Sequence, residues 1–252
     1  MNTVKIKDVI IGEGIPKVCV PIIEKTKEDI IAEAVIFSNI HVDIVEWRVD
    51  VFEDAFDTEK VKAVLKDLVP ALNNIPLLFT YRTSKEGGGK AIESENYVEL
   101  NKTAAETGLV DLIDVELFTG DEIVKEIIES AHGANVKVVA SNHDFEGTPS
   151  KKEIIKRLRK MQDLGADILK IAVMPKNKID VLKLLEATAI MSEKYADRPL
   201  ITVSMSDMGT LSRITGEIFG SAVTFGGYNK TSAPGQLKLE DLHNALQLIH
   251  RI

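Results

Sequence analysis

Three observations predict a closed (β/α)₈ barrel. Eight short apolar runs punctuate the chain: Val18–Ile23, Ile44–Val49, Leu77–Tyr81, Leu112–Leu117, Val136–Ser141, Ile168–Val173, Leu200–Met205 and Ala222–Phe225. Each is nearly continuous in Val, Ile, Leu or Phe, which suits parallel strands buried on both faces. Between them lie amphipathic stretches of helical period, and 252 residues accommodate eight such alternations at about 30 residues each. A doubly wound open sheet is the rival, but it leaves two edges. The first and last runs show no obvious edge protection by Pro bulges or inward Lys.

The elements follow in order. Val4–Ile11, ending in Gly12-Glu13-Gly14, reads as a hairpin closing the bottom of the barrel. Thr26–Asp29 is a capping signal for a helix expected to bury Ile30, Ile31, Ala34 and Val35. Val61, Val64, Leu65 and Leu68 mark the next helix. Ser150–Glu153 caps another that carries Ile154, Ile155, Leu158 and Met161, and Gly165 ends it. No linker or low-complexity tract interrupts residues 1–252, so one barrel domain is expected.

Composition narrows the function. A formal net charge of −8 leaves no cation surplus for nucleic acid or an anionic membrane surface. The opening MNTVKIKDVI alternates charged and apolar residues, so it reads as neither signal peptide nor anchor, and no apolar run reaches a spanning length. Cys19, the sole cysteine, excludes an internal disulfide framework and fits a reducing, cytoplasmic setting.

The informative polar residues lie inside the apolar runs. Side chains alternate across a strand, so Ile44, Glu46, Arg48 and Asp50 share a face. The same parity groups Leu78, Thr80 and Arg82, then Val139, Ser141 and His143, then Ile168, Lys170 and Ala172. Each polar residue falls toward the C-terminal half of its strand, the end that carries barrel active sites. Glu46 with Arg48, and Asp114 with Glu116, are costly to bury and read either as structural ion pairs or as ligand contacts. Lys170 has apolar neighbours on both sides. It is either salt-bridged to Glu46 or Asp114 without chemistry, or a nucleophilic amine of the Schiff-base kind. His143 is the histidine at the C-terminal end of a strand and the candidate acid/base. His41, His132, His243 and His250 fall in helices or before strands. Lys85-Glu-Gly-Gly-Gly-Lys90 and Phe225–Gln236 match no nucleotide fingerprint; the second reads as a mobile lid or as a plain exposed loop.

Taken in order, Glu46-Trp-Arg48-Val-Asp50, Thr80-Tyr-Arg82 with Lys85-Glu86-Gly-Gly, Ser141-Asn-His143-Asp-Phe145, Lys170-Ile-Ala-Val-Met-Pro175, Ser204-Met-Ser206 and Ser232-Ala-Pro-Gly-Gln236 closely resemble type I 3-dehydroquinate dehydratase. The likeness runs from Val4 through the last helix. It departs at Pro21, where the family can carry a serine facing the ligand. The resemblance implies that Lys170 forms an imine with the C3 ketone of 3-dehydroquinate. His143 then removes the C2 proton and helps the C1 hydroxyl leave, and Glu86 orients the imidazole, with Asp114 a weaker candidate for that role. Arg213 is implied to hold the carboxylate and Glu46, Arg48 and Arg82 the hydroxyls. Ser232 and Gln236 belong to the lid, and Met205, Phe225 and Ala233 to apolar walls. No metal or cofactor is implied, and the family often forms homodimers. Two other functions fit the residues alone: a class I aldolase-type lyase, which calls for a phosphate cradle after the seventh and eighth strands, and a non-catalytic binder of polyhydroxylated acids.

Overall fold

A computed structural model describes residues 3–250, so the outermost ends of the expected 1–252 domain lie outside it. A hairpin of β1 (Val4–Ile6) and β2 (Val9–Ile11) comes first, antiparallel and with Val4, Ile6 and Ile11 buried. The strands that follow are β3 (Lys17–Ile22), β4 (Ile44–Arg48), β5 (Leu77–Thr80), β6 (Leu112–Glu116), β7 (Lys137–Asp144), β8 (Ile168–Val173), β9 (Leu200–Ser204) and β10 (Val223–Phe225). They form one eight-stranded sheet in the order β10-β3-β4-β5-β6-β7-β8-β9, the (β/α)₈ arrangement. The helices are α1 (Lys27–Phe37), α2 (Thr58–Ala71), α3 (Ser94–Glu106), α4 (Asp121–Gly133), α5 (Lys151–Asp163), α6 (Lys178–Lys194), α7 (Thr210–Ile214), α8 (Gly216–Phe219) and α9 (Leu239–His250). None of them is long and apolar enough to cross a membrane.

Contacts group into two compact units, Met1–Val20 with Ala140–Ile252, and Pro21–Val139. In the first, the open-sheet alternative is eliminated. The first long strand pairs in parallel with the last, Val223 opposite Lys17 and Phe225 opposite Cys19. On the other side of β10, the Ala222 N–H donates to Leu200 O at 2.7 Å, so β10 is flanked on both sides.

Local chemistry explains the helix starts. Thr26 Oγ1 accepts from the Asp29 N–H at 3.2 Å, and Ser150 Oγ from the Glu153 N–H at 3.2 Å. Each satisfies one of the donors orphaned in a first turn. Gly165 adopts φ 98° at the end of α5, a left-handed value that glycine takes without Cβ strain. One expected face is corrected. α1 buries Ile30, Glu33, Ala34 and Phe37, whereas Val35 is exposed and Ile31 half-buried. The i, i+3, i+4, i+7 stripe runs through Phe37 rather than Val35, because hydrophobicity alone does not mark which of two adjacent stripes docks.

Ser150→Ala removes the α5 cap and is expected to lower unfolding stability by about 1 kcal/mol, read as a smaller urea midpoint with unchanged slope.

Candidate active site

In the unit Pro21–Val139, register places the polar residues on one face. Glu46 lies opposite Leu78, Arg48 opposite Thr80, and Thr80 opposite Asp114. Partners in register share a side, so Glu46, Arg48, Thr80 and Asp114 project together while Trp47 and Phe79 leave by the other face and meet edge-to-face. Thr80 Oγ1 donates to Glu46 Oε1 at 3.0 Å. Arg82 follows on the same parity and is 3% exposed. Its Nη2 meets Asp114 Oδ1 at 2.8 Å, and its Nη1 meets Glu116 Oε1 at 3.0 Å and Glu86 Oε2 at 3.6 Å. Burial alone would push this guanidinium down, but Asp114, Glu116, Glu86 and Glu46 together hold it well above its ordinary value. The Thr83 N–H and Oγ1 also donate to Glu116, at 2.8 and 2.7 Å. Behind them the Tyr97 hydroxyl accepts from the Glu116 N–H at 3.0 Å. Tyr81, whose buried hydroxyl has no hydrogen-bond partner among the described residues, is pushed up to about 12 by burial and then by Asp50 and Glu116.

Glu86 sits in the glycine-rich loop after β5. That loop folds back tightly: the Gly88 N–H donates to Thr83 O at 2.8 Å, and a Cβ at Gly88 would overlap the Arg82 carbonyl. A glycine there lets Glu86 sit within reach of Arg82.

In the other unit, Lys170 is 4% exposed on β8 with its ammonium nitrogen 4.4 Å from the centre of the Phe225 ring on β10. β9 separates those two strands, so a contact between them means that both side chains leave by the same, helix-free face. Register agrees: Lys170 lies opposite Ile201, and two positions along Ala172 lies opposite Val203. The opposite face of β9 packs on α6, where Thr188 Oγ1 donates to Thr202 Oγ1 at 2.8 Å. Met205, continuing the inward parity after β9, is buried.

β7 runs three residues beyond its expected end, to Asp144, so His143 belongs to the strand. Its neighbours Asn142 and Asp144 leave by the other face and are both held by Arg157 on α5. Arg157 Nη1 donates to Asn142 Oδ1 at 2.9 Å and Asp144 Oδ2 at 3.1 Å. Alternation therefore turns His143 to the same side as Ser141, away from α5.

Arg213, on α7, is 1% exposed. Its Nη2 donates to Pro234 O at 2.9 Å, and among the described residues its Nε has no hydrogen-bond partner and no ion pair involves it. Burial pulls its pKa down to about 10, with no anion to offset the loss of water. Pro234 belongs to the Gly-rich segment after β10, which closes at its base where the Gly227 N–H donates to Leu237 O at 2.9 Å. Within it, the Ser232 N–H donates to Gln236 Oε1 at 2.8 Å and Gln236 Nε2 to Ser232 Oγ at 3.0 Å. The segment is docked: the Ser206 N–H donates to Pro234 O at 3.1 Å, and a Cβ at Gly235 would overlap Ser206 O. Ala233 is half-buried beside Pro234. No sequence signal marked these dockings, nor Arg157 and Thr83 as partners, since each joins residues distant in the chain.

A buried lysine on the helix-free face of a parallel eight-stranded sheet, with an uncompensated guanidinium in the same unit, places the chain among the lysine-bearing (β/α)₈ barrels. The chain belongs to the type I 3-dehydroquinase family, whose family model matches residues 18–252. A 3-dehydroquinate dehydratase from Clostridioides difficile strain 630 is 56% identical over 98% of this chain and 97% of its own length. One from Salmonella agona is 51% identical over the full length of both. A crystal structure of the C. difficile type I enzyme with covalently modified comenic acid superposes at a TM-score of 0.97, with 55% identity over 99% of this chain and 98% of that one. A 3-keto-L-gulonate-6-phosphate decarboxylase from Vibrio cholerae, 14% identical at a TM-score of 0.60, shares the fold alone.

Glu116→Ala would strip Arg82 of one carboxylate in a site closed to water. We expect a loss of about 3–5 kcal/mol in urea unfolding, the cost of breaking a buried pair from one side. Arg213 has the opposite sign. Its depressed value means that the charged form opposes folding at neutral pH, a penalty relieved only as pH rises past about 10. Arg213→Met should therefore raise the ligand-free melting temperature, with up to about 3 kcal/mol available, while an inhibitor bearing a carboxylate loses its stabilising shift. A variant that melts earlier would show that the guanidinium has an anionic partner.

Proposed function

We propose that this chain dehydrates 3-dehydroquinate to 3-dehydroshikimate, a step of the shikimate route to aromatic amino acids, through an imine at Lys170. The observation that carries the reading is the Lys170 nitrogen 4.4 Å over the Phe225 ring on the helix-free face of β8, in a chain of the type I family. The Lys170 amine adds to the C3 carbonyl, and the carbinolamine loses water to give an iminium. That cation draws electrons from the C2–H bond. His143 takes the C2 proton, the electron pair forms the C1–C2 double bond, and the C1 hydroxyl leaves as water with a proton returned by the imidazole. Water then hydrolyses the iminium, releasing the enone and the amine.

The remaining roles follow the family assignment, and this chain's chemistry supports them. Arg213 binds the substrate carboxylate, because a buried guanidinium without an anion gains most from one. Glu46, Arg48 and Arg82 read the hydroxyls, with Arg82 held in place by Asp114 and Glu116. Glu86 tunes the His143 imidazole. Ser232 and Gln236 hold the lid in shape through their mutual hydrogen bonds, and Met205, Phe225 and Ala233 line the apolar side. The aldolase-type alternative is less well supported, since α7 after β9 offers Arg213 rather than a backbone cradle for phosphate.

The same proposal covers one barrel domain, a cytoplasmic setting and a homodimer. Ile179 and Leu182 on α6, Leu211 on α7 and Ile218 on α8 are exposed apolar residues on helices packed against one another, the kind of surface a second copy would cover.

Incubation with 3-dehydroquinate followed by borohydride should add the reduced substrate to the peptide containing Lys170, and Lys170→Met should abolish both labelling and turnover. His143→Ala should accumulate the adduct with turnover reduced by at least 10²-fold. Full turnover after borohydride treatment with substrate would refute the imine.

A further inference from the structure

We propose that Asp50 is the positioning residue of the hydroxyl-reading side, setting the aim of Arg48 and its spacing from Arg82. The inference rests on the dehydratase reading above. Asp50 is 1% exposed in the short turn Val49–Val51 that follows β4. Its two oxygens are both engaged by Arg48, Nε on Oδ1 at 2.8 Å and Nη2 on Oδ2 at 2.8 Å. Oδ1 also accepts from the Arg82 N–H at 3.1 Å. One carboxylate thus ties the Arg48 side chain on β4 to the backbone just beyond β5.

Two consequences follow from this fork. A two-point contact fixes the plane of a guanidinium as well as its position, which one bond or a lysine ammonium cannot do. Arg48 Nη1 carries no hydrogen bond among the described residues, so the fork leaves that edge to meet a ligand in one orientation. Asp50 also neutralises Arg48, whose remaining N–H groups then suit neutral hydroxyl oxygens better than a second carboxylate. Arg213, with no acid beside it, is the reverse case. The two arginines are therefore not interchangeable: the forked one suits hydroxyl oxygens and the unforked one a carboxylate.

The test is steady-state kinetics on the whole chain with 3-dehydroquinate, alongside borohydride labelling of Lys170. Asp50→Asn, similar in shape but unable to pair both Arg48 nitrogens, should raise KM at least tenfold with kcat within threefold of the unchanged chain. That split marks lost binding of ground and transition states alike. In an Arg48→Met background the same change should raise KM less than twofold, because the group it aims is gone. Equal KM values for Asp50→Asn and the unchanged chain, or additive effects with Arg48→Met, would overturn the proposal. If Asp50→Asn does not fold, Arg48→Lys keeps the charge but cannot fork; a normal KM there would overturn it equally. Absent labelling of Lys170 in the unchanged chain would instead sink the dehydratase reading, so the two failures are distinct.

Discussion

Neighbouring residues of a strand must leave by opposite faces, and in a parallel sheet wrapped by helices one face belongs to the helices. Whatever charge sits on the other parity is committed to the helix-free side with its partners or its ligand. Glu46, Arg48, Thr80 and Asp114 share one face by register, and Lys170 lies on the face of its strand away from α6. Their chemistry follows from where the parity sends them more than from any local motif.

The buried charges then divide by whether they are compensated. Arg82 is surrounded by carboxylates and held firmly charged, and Arg48 is forked by Asp50. Arg213 has a single backbone acceptor and pays for its burial. In a medium that solvates ions poorly, the first kind is held charged by its neighbours, and the second is the one an anion would stabilise most.

Much of the architecture was legible beforehand because two periods rarely imitate each other. The eight strands fall within a few residues of the apolar runs, and Thr26 and Ser150 cap as expected. Where the reading slipped, tertiary contact decided. β7 extends to Asp144 because Arg157 of α5 gathers its polar end, a residue that no local apolar count would include. α1 docks along the stripe ending at Phe37, the side that the folded chain buries.

The amino-acid order by itself determined the alternation of strand and helix, the side on which each polar residue would emerge, and the family, since these depend on spacing within a few residues or on motifs strung along the chain. The tertiary structure alone decided who meets whom. Lys170 lies over Phe225, Glu116 on Arg82, Asp50 across to the Arg82 N–H, and Pro234 against Arg213. Such pairs bring together residues from different strands and loops, and their energies depend on water being excluded around them. Neither the pairing nor the exclusion exists until the sheet is assembled.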